Sequence, residues 1–153
     1  MEENKAGITE KINTYKADVE ALVRFLPWLE KRAGEKLSTN YSPEDGAEIT
    51  MKVPVYDSTL LSFIKAAKQT KFINKNYVYT YSRYKIRNSE DELKLIDRVQ
   101  IMDIELLGNI LSKYVIKGNT KGAVWSEGME NGVYLKLITK MKSLIEYWTK
   151  PME

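Results

Sequence analysis

The sequence predicts a mainly α, α-dominated α+β fold, a single domain over 1–153 of roughly four to six helices with a small β element. Three patterns carry that expectation. From Gly132 to Lys150 the apolar residues Tyr134, Leu137, Ile138, Met141, Leu144, Ile145 and Trp148 recur in steps of three and four, the spacing of one helix face. Toward the other end Ile8, Ile12, Tyr15, Val19, Leu22, Leu26 and Leu29 do the same. Between them Ile49, Met51, Val53 and Val55, and later Tyr77, Tyr79 and Tyr81, fall at alternate positions, the strand pattern. The C-terminal stripe is too wide to leave in water. The helix expected over 132–149 is therefore the hub that the rest of the chain covers.

In chain order, residues 1–7 read as a disordered polar tail. The N-terminal stripe predicts a helix over 9–32. Pro27 lies inside it, and an interior proline loses a backbone bond and clashes with the preceding turn, at a cost of about 3 kcal/mol. A kink is expected there, or two helices meeting near Lys16-Ala17-Asp18 with Asp18 as a cap. The stripe also fits a heptad, so it is either core or the seam of a homodimer. Residues 33–48 are a loop punctuated by Gly34, Pro43 and Gly46. Pro54 confines the strand near 49–55 to a sheet edge, or ends it. Asp57 or Ser58 caps a helix over 58–72. The tyrosines predict a second strand over 77–82. Ser89 and Glu92 then form a capping box for a short helix from about Glu90. Asp103 caps a helix with Leu107, Ile110, Leu111 and Tyr114 inward, and Gly118 ends it in a left-handed conformation. Residues 118–131 read as a loop, with Asn131 capping the hub helix.

Composition removes several chemistries. Neither Cys nor His is present, so disulfides, thiolate metal sites, the Ser-His-Asp and Cys-His arrangements and the usual general base are all excluded. No membrane span and no signal peptide are legible, which leads to the expectation of a cytoplasmic protein without a membrane partner. The net charge of +3 carries no global argument, so any electrostatic signal must be local.

That local signal lies at 58–88. The stretch holds Lys65, Lys68, Lys71, Lys75, Arg83, Lys85 and Arg87 without one Asp or Glu. Tyr77, Tyr79, Tyr81 and Tyr84 are interleaved with the later cations. Clustered cations bind phosphates because neutralising them releases condensed counterions, and flat rings stack on unpaired bases. The candidate binding residues are thus Lys65, Lys68, Lys71, Lys75, Tyr79, Tyr81, Arg83, Tyr84, Lys85 and Arg87. The plainer alternative is a solvated helix face followed by an inward-packing strand, with Glu90-Asp91-Glu92 as an internal counterweight. A second acid-free stretch, 106–126, contains Lys117-Gly118-Asn119-Thr120-Lys121-Gly122, a candidate anion nest that lacks the spacing of a phosphate-binding loop. Glu127 with Glu130, and Asp97 and Asp103, are the carboxylates left for acid/base or metal chemistry.

The order of several short motifs is also distinctive. Phe25-Leu26-Pro27-Trp28-Leu29 comes first, then Met51-Lys52-Val53-Pro54-Val55-Tyr56 leading into Phe63-Ile64. Arg83-Tyr84 follows, then Asp103 before Leu107, then a glycine loop before Leu137 and Leu144. This order, over roughly 18–148, resembles the bacterial and phage family of unknown function DUF6508. The resemblance implies a phage or mobile-element setting and no activity. Together these readings lead to a non-catalytic binding protein without cofactor or metal. Its expected partner is a nucleic acid or a nucleic-acid-handling complex, such as a bacterial defence system that it inhibits. A nucleotide binder using 118–131 is the alternative, and a carboxylate- and metal-dependent enzyme the second.

Overall fold

The computed structural model describes residues 2–32 and 58–149. These form α1 (Glu2–Val23), α2 (Leu26–Arg32), α3 (Ser58–Lys68), α4 (Tyr77–Arg83), α5 (Ser89–Arg98), a 3-10 turn (Ile101–Asp103), α6 (Glu105–Lys117), α7 (Ala123–Glu130) and α8 (Val133–Thr149). The fold is mainly α, as expected. Among the described residues there are eight α-helices rather than four to six, and no strand. The expected loop at 33–48, the strand near 49–55 and the Asp57 cap lie outside the described residues.

The hub helix is where its stripe placed it. Val133, Tyr134, Leu137, Ile138, Met141, Leu144 and Ile145 of α8 are all buried. α8 packs against α1, α2, α5, α6 and α7. Tyr134 is the joint of this core: its ring lies 4.9 Å from Phe63 and 5.5 Å from Tyr114, and its hydroxyl donates to the Trp125 carbonyl at 2.6 Å. Trp148 leaves the stripe and stands 43% exposed, edge-on to Tyr147. The N-terminal stripe is core as well. Ile12, Tyr15, Val19, Leu22, Leu26 and Leu29 are buried in the chain's own cluster, so they offer no seam to a second copy.

Pro27 divides that stripe without kinking a helix. The chain turns at Arg24 and Phe25, and Pro27 becomes the second residue of α2. In a first turn its missing N–H has no intrahelical partner to lose. The alternative break near Lys16-Ala17-Asp18 does not occur. Asp18 stays inside α1, and its carboxylate accepts the Lys71 backbone N–H at 2.8 Å.

Five other expectations are corrected. The alternating tyrosines lie on α4, not on a strand at 77–82. Tyr77 and Tyr81 are one helical turn apart and Tyr79 is on the far side, so alternation in residue type hid a helical pattern of burial. Residues 89–98 are fully helical, and the cap is Asn88, whose side chain accepts from the Asp91 N–H at 2.9 Å. Ser89 and Glu92 therefore form no capping box. Residues 118–131 contain α7 rather than a continuous loop, with Val124, Ser126, Gly128 and Met129 buried. Gly118 is right-handed at φ −63°; it is glycine because a Cβ would run into the Trp125 indole. Among the described residues the left-handed glycine is Gly132, at φ 81° between α7 and α8. Asn131 does cap α8, accepting the Val133 N–H at 3.0 Å. Asp103 lies in the 3-10 turn, and Ile104 is the residue that precedes α6.

Two substitutions test this packing. Leu137→Ala removes a fully buried side chain from the hub, for an expected loss of about 2–5 kcal/mol in denaturant unfolding. Gly118→Ala, usually favourable in a right-handed position, is expected to lower the melting temperature. Adding Trp125→Ala should remove that specific clash, so the two effects will not add.

Candidate binding surface on α4 and its buried support

α4 has only seven residues, too few to be stable as an isolated helix. Its position is set by what it touches on α6 and α5. On one side Thr80 accepts from the Asn109 amide at 2.8 Å, and the Asn109 carbonyl oxygen accepts from Asn74 at 3.1 Å. The Asn74 backbone N–H donates to Ser112 at 2.8 Å. On the other side Tyr81 donates to Glu92 Oε2 at 2.5 Å. Tyr114 donates to Glu92 Oε1, and Lys113 Nζ reaches Oε2 at 3.2 Å. Glu92 is completely buried, so one carboxylate from α5 draws together α4 and α6. The Lys113 ammonium also lies 5.4 Å from the Tyr81 ring centroid and 4.8 Å from that of Tyr114. The Asn131 amide donates to the Tyr114 hydroxyl at 3.0 Å, which ties in the α7–α8 junction.

Burial first, and then the neighbouring Glu92 charge, push the hydroxyls of Tyr81 and Tyr114 far above the ordinary tyrosine range. Both keep their protons at neutral pH and act as donors. Neither is available as a base or nucleophile. An open cavity of about 360 Å³ lies over the cluster, with Ser89, Lys113, Glu127, Glu130 and Asn131 among its walls.

The ten candidate residues do not gather into one patch. Lys65 lines a groove between α1 and α3 with Asp18 and Arg24. Lys71 Nζ donates to the Thr14 carbonyl of α1 at 3.2 Å. Lys68 lies 5.1 Å over the Trp125 ring of α7. These three serve α1 and α7 rather than α4. Tyr81 is half-buried and committed to Glu92, so it is support and not surface.

Lys75, Tyr79, Arg83, Tyr84, Lys85 and Arg87 remain, all exposed, from the turn before α4 to the turn after it. Tyr79 is 74% exposed and Tyr84 43%. Val78, 57% exposed beside Tyr79, belongs to the same surface and was not among the candidates. Among the described residues none of these four cations forms an ion pair. Of the expected counterweight, Glu92 faces inward, whereas the Asp91 carboxylate accepts the Arg87 backbone N–H at 3.0 Å and so sets one acid beside that end of the edge.

The edge ends in a feature of its own. Lys85 has φ 54°, a left-handed conformation that favours glycine. The Ile86 N–H bonds the Tyr81 carbonyl at 2.9 Å and the Lys85 N–H that of Ser82 at 3.3 Å, the six-to-one and five-to-two closure of a helix end. A lysine therefore stands where glycine would be less strained, which places a cation at the tip of the edge.

The other candidate sites are less well built. The backbone N–H groups of Gly118, Asn119, Thr120 and Lys121 all donate to carbonyls within their own turn, leaving none of the four for an anion. Asp97 is paired with Lys136 at 2.8 Å. Among the described residues no three acidic side chains come together as metal ligands, and no helix is long and apolar enough to cross a membrane.

The profile of a family of unknown function, DUF6508, matches residues 14–147. The chain belongs to this family. The DUF6508 region contains the whole Glu92 cluster and the whole α4 edge. Neither curated proteins nor solved structures provide a match.

Two outcomes are expected. An unfolded tyrosine ionises near 10.0 whereas Tyr81 and Tyr114 do so far higher, so above that pH the unfolded state alone loses their protons. Their contribution is complete below pH 10 and is lost as pH rises beyond it. Denaturant unfolding from neutral to alkaline pH should show that fall, and it should be shallower in a Tyr81→Phe, Tyr114→Phe variant. Lys85→Gly should raise the melting temperature, since it relieves the left-handed lysine by about 1 kcal/mol.

Proposed function

We propose that this is a non-catalytic binding protein and that the α4 edge engages a nucleic acid. The observation that carries this reading is the exposed pair Tyr79 and Tyr84 set among Lys75, Arg83, Lys85 and Arg87, with no acid in the stretch. Cations meet phosphates and rings meet base faces. The Glu92 and Asn109 contacts support it by holding a short helix in place before any ligand arrives, which reduces the ordering entropy of binding. A second reading rests on Val78. An exposed valine beside an exposed tyrosine suits a protein partner, such as the nucleic-acid-handling complex of a bacterial defence system in a phage or mobile-element setting.

Fluorescence anisotropy with a labelled single-stranded oligonucleotide over a salt series tests the first reading. If all four cations meet phosphates, log affinity should fall against log salt with a slope of about −3. Arg83→Glu with Lys85→Glu should lower affinity at least tenfold and flatten the slope. Lys65→Glu, in the separate α1–α3 groove, should leave both nearly unchanged. Binding indifferent to salt and to Arg83 and Lys85 would remove the α4 edge from the account.

A further inference from the structure

Resting on that reading, we infer that the ligand of the α4 edge is a single strand, DNA or RNA, and not a duplex. Inside a duplex the base faces are stacked on one another and only their edges reach the grooves. A protein that reads those edges projects long hydrogen-bonding side chains from one helix face. The exposed face of α4 presents Val78, Tyr79, Ser82 and Arg83 instead, a single long donor beside an aromatic ring. α4 is also short, about 10 Å at 1.5 Å per residue. The left-handed Lys85 turns the chain immediately after it, so the helix cannot continue along a groove.

The spacing of the two rings suits unpaired bases. Tyr79 and Tyr84 are five residues apart, about 7.5 Å along the axis, close to two base steps of about 3.4 Å. Around the axis they differ by roughly 140° at 3.6 residues per turn. A ligand touching both rings must therefore bend around the end of α4. A single strand can do so, whereas a duplex, with a persistence length of about 150 base pairs, resists a bend that tight. Arg83 lies between the rings in sequence, its guanidinium 6.0 Å from the Tyr84 centroid, where it can neutralise one of the two phosphates between the bases stacked on the rings.

The test compares one labelled strand of on the order of ten nucleotides, as DNA and as RNA, with its own duplex. The expected result is that the DNA or the RNA strand binds at least tenfold more tightly than the corresponding duplex. Tyr79→Ala and Tyr84→Ala should each weaken single-strand binding roughly tenfold and leave duplex binding unmoved, while Tyr79→Phe keeps most of the affinity. Both rings are exposed, so the variants should keep the wild-type circular dichroism spectrum and melting temperature. Equal affinity for strand and duplex, or indifference to both tyrosines, overturns the single-strand inference while leaving nucleic-acid binding intact. Failure to bind any nucleic acid, or salt-dependent binding to poly-glutamate alone, overturns the reading beneath it as well.

Discussion

A single buried carboxylate sets the geometry of this molecule's middle third. Removing an ion from water costs several kcal/mol even after relaxation, and attraction offsets that only where donors surround the charge. Glu92 has three: the hydroxyls of Tyr81 and Tyr114 and the ammonium of Lys113. Those donors arrive from α4 and α6, while Glu92 itself stands on α5. An apolar contact would hold α4 against the core but tolerate sliding or rotation. Directed bonds to one carboxylate, with Thr80 bonded to Asn109 on the other side, fix both its register and its rotation.

The exposed side of α4 follows from the fixed one. With Tyr77, Thr80 and Tyr81 turned inward, Val78, Tyr79, Ser82 and Arg83 must face water. The closure at Lys85 and Ile86 then presents Tyr84 and Lys85 at the helix tip. The apolar hub, α8, makes no use of these residues. Its role is to give α5, α6 and α7 a rigid base on which the polar cluster can be assembled. The molecule thus divides its labour: an apolar stripe supplies stability, and a polar cluster supplies orientation.

Long periodic stripes were legible and short elements were not. The buried faces of α8 and α1 could be read directly, because ten or more residues let a period of 3.6 separate itself from other periods. α4 and α7 are seven and eight residues long, and their cores rest on contacts distant in sequence. Nothing local to Tyr77, Tyr79 and Tyr81 distinguishes a strand from a helix. Gly118 and Gly128 look like loop glycines, yet each makes room for an aromatic ring, Trp125 and Tyr134, that only the folded chain brings close. For the candidate site, the acid-free run includes the exposed α4 edge but merged it with three lysines that the fold sends to α1 and α7. A signal for Glu92 did exist. It stands on the stripe continued by Leu95, Ile96 and Val99, and an acid on an apolar face calls for buried donors.

The central claim is that the Glu92 cluster holds α4 in place, and amide hydrogen exchange across 75–87 in the native protein and in Glu92→Gln tests it most directly. Glutamine keeps the shape, but its amide nitrogen sets a donor against the donors of Tyr81, Tyr114 and Lys113. Losing bonds to a charged group costs about 1.5–3 kcal/mol, so α4 amides should exchange at least tenfold faster while those of α8 change much less. Identical exchange across α4 in the two proteins would mean that the carboxylate does not hold the helix.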